Sequence, residues 1–320
     1  MVKTVSVYTN ITEQELKQFL TQYDLGTLSS FEGISAGIEN TNYFVDTSKG
    51  RFVLTIFEHH TINELDYFLN IMAFMAEHNI PTAHPEKTTD GHYLKIFKEK
   101  PAALVKRLTG SSVEEPNLTQ VGVMGEQLAK FHIAGQGFNE QRNNDRDLNW
   151  IQKTYHSIVC WLPADEITLI AKEIEFQSTI NWSSLPQGVI HADLFCDNAL
   201  FEGDKLSGII DLYYACNATL LYDLAVMTND WCREQTKDST DEINFKFNAE
   251  KVAHMMSAYN QIRPLTKEEN DHWQSALRLA ALRFFLSRLK DKYTPREGEM
   301  TQIKNPSVYK KILQIHQTQP

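Results

Sequence analysis

The chain has 320 residues, 42% apolar and 22% charged, with a net charge of −10. That is the make-up of a soluble globular protein large enough for two cored lobes, and its acidic balance argues against nucleic acid or an anionic membrane as the main partner. No apolar run approaches the roughly 18 residues that span a bilayer, and Met1–Tyr8 is too short and polar for a signal peptide, so a cytoplasmic location is expected. The cysteines Cys160, Cys196, Cys216 and Cys232 form no C-x-x-C pair, which suits reduced thiols better than a disulfide framework or a zinc site.

In chain order, Thr12-Glu13-Gln14-Glu15 has the form of a capping box opening a short helix through Leu20. Strand-like runs follow at Leu28–Ile34, Asn42–Asp46 and Arg51–Phe57, the last two separated by the turn Thr47-Ser48-Lys49-Gly50. Leu65, Phe68, Leu69, Met72 and Met75 recur at helical spacing and predict a helix over Ile62–Glu77, ending before Pro81. His92–Phe97 and Ala102–Arg107 are further strand candidates. Beyond Leu108-Thr109-Gly110 helical patterns dominate, at Thr119–Ile133, Asn149–Trp161, Asp165–Asn181, Leu220–Cys232, Ala249–Gln261 and Lys267–Lys290. A strand–loop–strand unit, Gly188–Asp211, interrupts them. A strand-rich N-terminal lobe (1–107) joined to a helical C-terminal lobe (108–320) is an α+β, two-lobed pattern with a cleft between lobes.

The densest chemistry lies in Gly188–Phe201, with His191-Ala192-Asp193 and Asn198, and in Leu206–Tyr213, with Ile209-Ile210-Asp211. Each half is a short apolar run ending in an acid, as if two strands deliver carboxylates to one spot. Phosphoryl transfer from Mg-ATP to a hydroxyl needs an acceptor for the hydroxyl proton and oxygen ligands that hold magnesium against the phosphates. Asp193 suits the first role, Asn198 and Asp211 the second, since magnesium favours oxygen ligands and keeps several waters. Taken singly, each acid reads as a solvated loop residue or a cap. Together, H-x-D-x4-N followed by I-I-D points to a kinase. His191 reads as a hydrogen-bonded brace rather than a second base. Between the first two strand candidates, Gly33–Asn42 is placed to cover phosphates, with backbone N–H groups and the Ser35, Asn40 and Asn42 side chains as donors. Its glycines suit an ordinary hairpin equally well.

These residues resemble the aminoglycoside phosphotransferase and choline kinase branch of the protein-kinase-like superfamily. The branch's His-Gly-Asp-x-x-x-x-Asn loop is matched by His191-Ala192-Asp193 and Asn198, with Ala192 in place of glycine. Tyr222-Asp223-Leu224-Ala225 is similar to the helix that follows, and the resemblance implies that Asp223 braces the loop. It also implies a two-lobed protein-kinase-like fold, ATP and Mg2+ as cofactors, and a nucleotide strand carrying Val53 and Thr55. Thr55 stands where most such kinases have an ATP-binding lysine. Threonine cannot neutralise phosphate, so magnesium or another cation must compensate, with Lys95, Lys106 and Arg107 as candidates. Glu64, near the usual position of the lysine's partner, reads as a surface carboxylate.

At Arg51–Glu58, Pro101–Leu104, Gly188–Asn198, Ser207–Asn217 and Leu277–Arg288 the chain is similar to the bacterial homoserine kinases of this fold. That resemblance implies ATP and L-homoserine as small-molecule substrates, in threonine biosynthesis. Homoserine is a zwitterion whose pocket needs a cation for the carboxylate. The apolar helix around Leu277–Leu289 holds Arg283 and Arg288, either of which could serve, an internal acid being an equal alternative for Arg283. Asp230, on the helical face of Asp223, could meet the ammonium or pair with Arg233. Competing readings are a kinase for an aminoglycoside, choline or another small hydroxyl metabolite, a catalytically inactive nucleotide-binding module, and a metal-dependent hydrolase. The sequence sets no oligomeric state.

Overall fold

Thr12 opens the first helix reciprocally. Its hydroxyl accepts from the Glu15 N–H at 3.3 Å while the Glu15 carboxylate accepts from the Thr12 N–H at 2.7 Å, starting α1 (Glu13–Leu20). The computed structural model describes residues 9–34, 40–236, 243–295 and 304–318. The chain divides into two units. One holds the described residues up to Gly110 together with Ser207–Tyr213, the other Ser111–Leu206 and the described residues from Tyr214 onward, apart from that short piece. The first unit thus extends to Gly110 rather than to residue 107 and recruits a later segment. The recruitment has a visible cause: the Ile209 N–H donates to the Pro81 carbonyl at 2.6 Å, and the Thr82 hydroxyl donates to the Ile209 carbonyl at 2.7 Å.

In the first unit β1 (Leu28–Gly33), β2 (Thr41–Thr47), β3 (Gly50–Ile56), β4 (Lys95–Phe97) and β5 (Lys100–Lys106) form a five-stranded antiparallel sheet in the order β1-β2-β3-β5-β4. Helix α2 (Ile62–Glu77) follows β3, and Glu64 accepts from the Thr61 N–H at 2.9 Å as the second half of its cap. Strand alternation divides the sheet's residues between its faces. Tyr43, Leu54 and Leu104 are cross-strand partners on one face; Asn42, Thr55 and Ala103, then Phe44, Val53 and Val105, are partners on the other. Leu16, Phe19 and Leu20 of α1 join Tyr43, Leu54 and Leu104 in one buried cluster, so the helix closes the first face.

The second unit carries α3 (Leu118–Gly135), α4 (Leu148–Ile158), α5 (Ala164–Ser178), β6 (Gln187–Ile190), β7 (Ala199–Glu202), β9 (Cys216–Thr219), α6 (Leu220–Trp231), β10 (Arg233–Gln235), β11 (Phe245–Phe247), α7 (Ala249–Ile262), α8 (Lys267–Asp271), α9 (Trp273–Tyr293) and α10 (Pro306–Thr318). Strand β8 (Lys205–Ile209) begins here and ends in the first unit. β6 pairs antiparallel with β9 across the loop that carries Asp193. Helix α9 buries Leu277, Ala280, Ala281, Leu282, Phe285 and Leu286, which fits its apolar character on nearly every side. The single helix expected over Lys267–Lys290 breaks at His272, where α8 ends. Sequence reading passed over α10, although Val308, Tyr309, Ile312 and Leu313 fall at helical spacing and are buried.

No described helix is long and apolar enough to cross a membrane. Cys160 is exposed, whereas Cys196, Cys216 and Cys232 are buried, and all four are free thiols.

Helices α3 and α7 approach closely enough that a Cβ on Gly125 would sit 2.5 Å from the Met255 carbonyl oxygen. Gly125→Ala is therefore expected to push α7 outward and cost about 1–3 kcal/mol of stability, read as a lower thermal midpoint by calorimetry.

Candidate active site

The loop after β6 is held from below by α6. Both oxygens of the buried Asp223 carboxylate accept backbone hydrogen bonds from it, from the His191 N–H at 2.8 Å and from the Ala192 N–H at 2.8 Å. Two turns further along the same helix, Asp230 accepts from the Cys196 N–H at 2.9 Å, and the Trp231 indole N–H donates to the Leu194 carbonyl at 3.0 Å. One helical face thereby fixes the loop on both sides of Asp193. Asp230 is also paired with Arg233 at 2.5 Å. Its carboxylate is thus committed to the loop and to Arg233 at the start of β10, which is the alternative to meeting a substrate ammonium.

Within the loop, Asn198 Nδ2 donates to the Asp193 carbonyl at 2.7 Å and lies 3.4 Å from the Asp193 carboxylate. The structure thus brings these two residues together. With its amide nitrogen committed, Asn198 offers its Oδ1 atom as a hard oxygen donor. His191 is buried, and its ring Nδ1 accepts from the Asp193 N–H at 3.3 Å. Ala192, standing where the related loop has glycine, adopts φ +67°, a left-handed conformation that costs an alanine about 1–2 kcal/mol. The Asp223 clamp on its N–H helps to keep it there.

Burial pushes the Asp193 carboxyl above the usual aspartate range, against the opposing pull of Arg283, His191 and Lys304. Asp223 has the opposite outcome. Burial alone would raise it, but hydrogen bonds from His132 and from the loop backbone hold it below the ordinary value. His132 lies in α3, fully buried, with Nε2 3.2 Å from Asp223 and Nδ1 2.7 Å from the Tyr259 hydroxyl. Burial depresses the imidazole pKa. A neutral ring donating from Nε2 and accepting at Nδ1 satisfies both neighbours. Arg263 then donates to the Tyr259 oxygen at 3.1 Å and pairs with the buried Glu269 at 2.9 Å. This chain escaped sequence reading because a lone histidine or tyrosine on an apolar helical face carries no spacing signal.

In the first unit, Asp211 follows β8 with φ +64°. The adjacent Tyr213 hydroxyl hydrogen-bonds to Thr55, and burial followed by the nearby Asp211 charge pushes its pKa up. Thr55 in turn donates to Asn42 Oδ1 at 2.8 Å. The position expected to hold a lysine is therefore a neutral link between β3, β2 and the Asp211 segment. Asn42 Nδ2 reaches the Asn40 carbonyl at 3.3 Å, Asn40 Oδ1 accepts from the Glu58 N–H at 3.4 Å, and the Ile34 N–H donates to the Asn42 carbonyl at 2.8 Å. Gly33 ends β1 opposite Tyr43, and Ser35 lies outside the described residues. Among the candidate cations Lys95 is paired with Asp90 and Lys106 is exposed, while the Arg107 guanidinium lies 3.6 Å over the Phe44 ring, on the face that carries Val53.

The phosphotransferase enzyme family matches residues 30–265. A homoserine kinase of Methylobacillus flagellatus is 44% identical over 309 residues, covering 97% of this chain and 94% of that protein. This chain is a member of the homoserine kinase family. A homoserine kinase of Methylobacillus glycogenes is 40% identical over the same share of this chain and 95% of its own length. Among solved structures, amicoumacin kinase bound to AMP-PNP, Ca2+ and amicoumacin has the same fold, with a TM-score of 0.72, 13% identity and coverage of 97% and 95% of the two chains. The α+β, protein-kinase-like fold is thus shared well beyond detectable similarity in the homoserine kinases.

Two outcomes are expected. Ala192→Gly should relieve the left-handed alanine, raising stability by about 0.5–1 kcal/mol in urea unfolding with turnover retained. For Asp223, a folded-state pKa below the unfolded value means that its stabilisation is complete above the unfolded pKa of about 4 and is lost as pH falls through the lower folded value. Asp223→Asn should cost about 3 kcal/mol at neutral pH, and its thermal midpoint should vary less than the wild type's below about pH 4.

Proposed function

We propose that this chain transfers the γ-phosphoryl group of ATP to the side-chain hydroxyl of L-homoserine, giving O-phospho-L-homoserine for threonine biosynthesis in the cytoplasm. The observation that carries the reading is a partly buried Asp193 held beside Asn198 in a loop clamped by Asp223, in a chain 44% identical to a homoserine kinase over nearly its whole length.

In this reading the homoserine hydroxyl donates a hydrogen bond to Asp193. Its oxygen attacks the γ-phosphorus, the bond from that phosphorus to the bridging oxygen breaks, ADP departs, and the hydroxyl proton passes to Asp193. Burial raises the Asp193 pKa, which makes its carboxylate a stronger acceptor for that proton. Among the described residues no group of three or more His, Cys, Asp or Glu could cage an ion. An amide oxygen and a carboxylate completed by nucleotide phosphates fit magnesium better than an all-protein site. Asn198 Oδ1 and Asp211 would hold that magnesium, which when bound neutralises phosphate charge. Val53 and Thr55 would face the nucleotide. Gly33, Asn40 and Asn42 would present N–H groups to the phosphates. Most of the rate gain would come from positioning and fixed charge.

Asp193→Asn should lower kcat by about a thousandfold or more while the ATP Kd changes less than about threefold. Near-normal turnover in that variant, or a wild-type preference for serine, choline or kanamycin over homoserine in a coupled ADP-release assay, would overturn the assignment.

A further inference from the structure

Helix α9 carries three arginines, and two of them have evident protein partners. Arg278 forks onto the fully buried Glu173, with contacts of 2.7 and 3.0 Å. Arg288 donates to the Asn305 carbonyl at 2.8 Å and lies 4.5 Å over the Tyr309 ring. Arg283 differs. Its side chain is 5% exposed, yet its nearest anion is Asp193 Oδ1, 3.8 Å from Nη1 and beyond hydrogen-bond reach, and its Nε has no acceptor among the described residues. A buried guanidinium lacking hydrogen bonds costs several kcal/mol as an order of magnitude. The ring of Phe284 at 3.9 Å and that of Tyr214 at 5.6 Å offset part of this through its faces. Stacking leaves the N–H edge of the fork available to a planar acceptor.

A second orphan lies close by. The Tyr309 hydroxyl on α10 is buried and has no hydrogen-bond partner among the described residues. Both orphans pack on the same aromatic group. Phe284, which lies under Arg283, is 5.2 Å from the Tyr309 ring, and Phe195, in the catalytic loop, is 4.6 Å from Phe284 and 6.4 Å from Tyr309. A donor-only fork and a hydroxyl beside an apolar cage make a receptor for a small anionic group. Native proteins rarely leave two such groups unsatisfied around one aromatic cluster.

We propose that Arg283 and Tyr309 together bind the α-carboxylate of the amino-acid substrate beside Asp193. The proposal rests on the homoserine kinase reading and adds to it the pair of side chains by which the substrate is recognised. The guanidinium gives two parallel N–H bonds to the carboxylate and the Tyr309 hydroxyl a third. Because Nη1 and Asp193 Oδ1 are 3.8 Å apart, a carboxylate on Arg283 leaves the hydroxyl of a short amino acid within reach of Asp193. A substrate without that carboxylate leaves a buried charge and a buried hydroxyl unpaired, the kind of loss that discriminates most strongly.

The test is steady-state kinetics with Mg-ATP on wild type, Arg283→Met, Arg283→Lys and Tyr309→Phe, using L-homoserine and 3-aminopropan-1-ol. The latter keeps the hydroxyl and ammonium and lacks the carboxylate. Wild type is expected to prefer homoserine by about a thousandfold in kcat/KM. Arg283→Met should collapse that ratio to near one, chiefly through KM for homoserine, with Arg283→Lys intermediate. Tyr309→Phe should raise the homoserine KM about tenfold and leave the ATP KM alone. Should Arg283→Met fail to fold, the wild-type preference and Tyr309→Phe decide. Equal losses for both substrates in Arg283→Met, or an unchanged homoserine KM in Tyr309→Phe, would overturn the carboxylate receptor while leaving homoserine phosphorylation standing. A wild type inert toward homoserine would overturn both.

Discussion

The structure of the active loop depends on one carboxylate accepting two adjacent backbone N–H groups. Asp223 takes the His191 and Ala192 amides on its two oxygens, a geometry that only a tightly folded segment can present. That clamp sets the course of the chain into Asp193 and offsets the conformational cost of Ala192. Asp230 and Trp231 repeat the device further along α6, so the loop is templated by one helix rather than by its own sequence. Carboxylates used this way must stay ionised in a buried place. The His132–Tyr259–Arg263–Glu269 chain keeps Asp223 ionised through a neutral imidazole and ends on a charge pair.

The two aspartates illustrate how surroundings divide labour between like groups. Burial acts on both in the same direction. Asp223 gathers enough donors to overcome it, whereas Asp193 faces a guanidinium too distant to do so and emerges with a raised pKa. The stronger partner belongs to the brace and the weaker one to the group proposed to react. In the first unit, Tyr213, Thr55 and Asn42 form a neutral relay where related kinases place a charge, so β3 contributes order to that face rather than cationic charge.

Much of this was legible in the sequence. The His191–Asn198 spacing and the Ile209–Asp211 run pointed to the family and the fold, because few other folds carry those residue types at those intervals. The α1 capping box was equally readable, since its chemistry is complete within four neighbouring residues. What escaped was what tertiary packing decides. Arg278, Arg283 and Arg288 look alike along the helix, and only the position of Glu173 and the Asn305 carbonyl separates them. Asp230 shared a face with Asp223, as the helical period requires, but the period could not say that a loop amide would occupy it. Tyr309 sits in α10, a helix whose apolar spacing was present and passed over. The recruitment of Ser207–Tyr213 into the first unit likewise arises from contacts between distant segments.

The distribution of thiols has a practical consequence. Cys216 and Cys232 are pushed up to about 12 by burial, and Cys196 is raised further by burial and by Asp230. Nucleophilic attack requires an accessible thiolate, and burial works against both access and ionisation at these three sulfurs. Cys160, exposed just beyond α4, is left as the one natural handle for maleimide chemistry. A reporter dye can therefore be placed at a single defined point on the wild-type chain without engineering away any other cysteine.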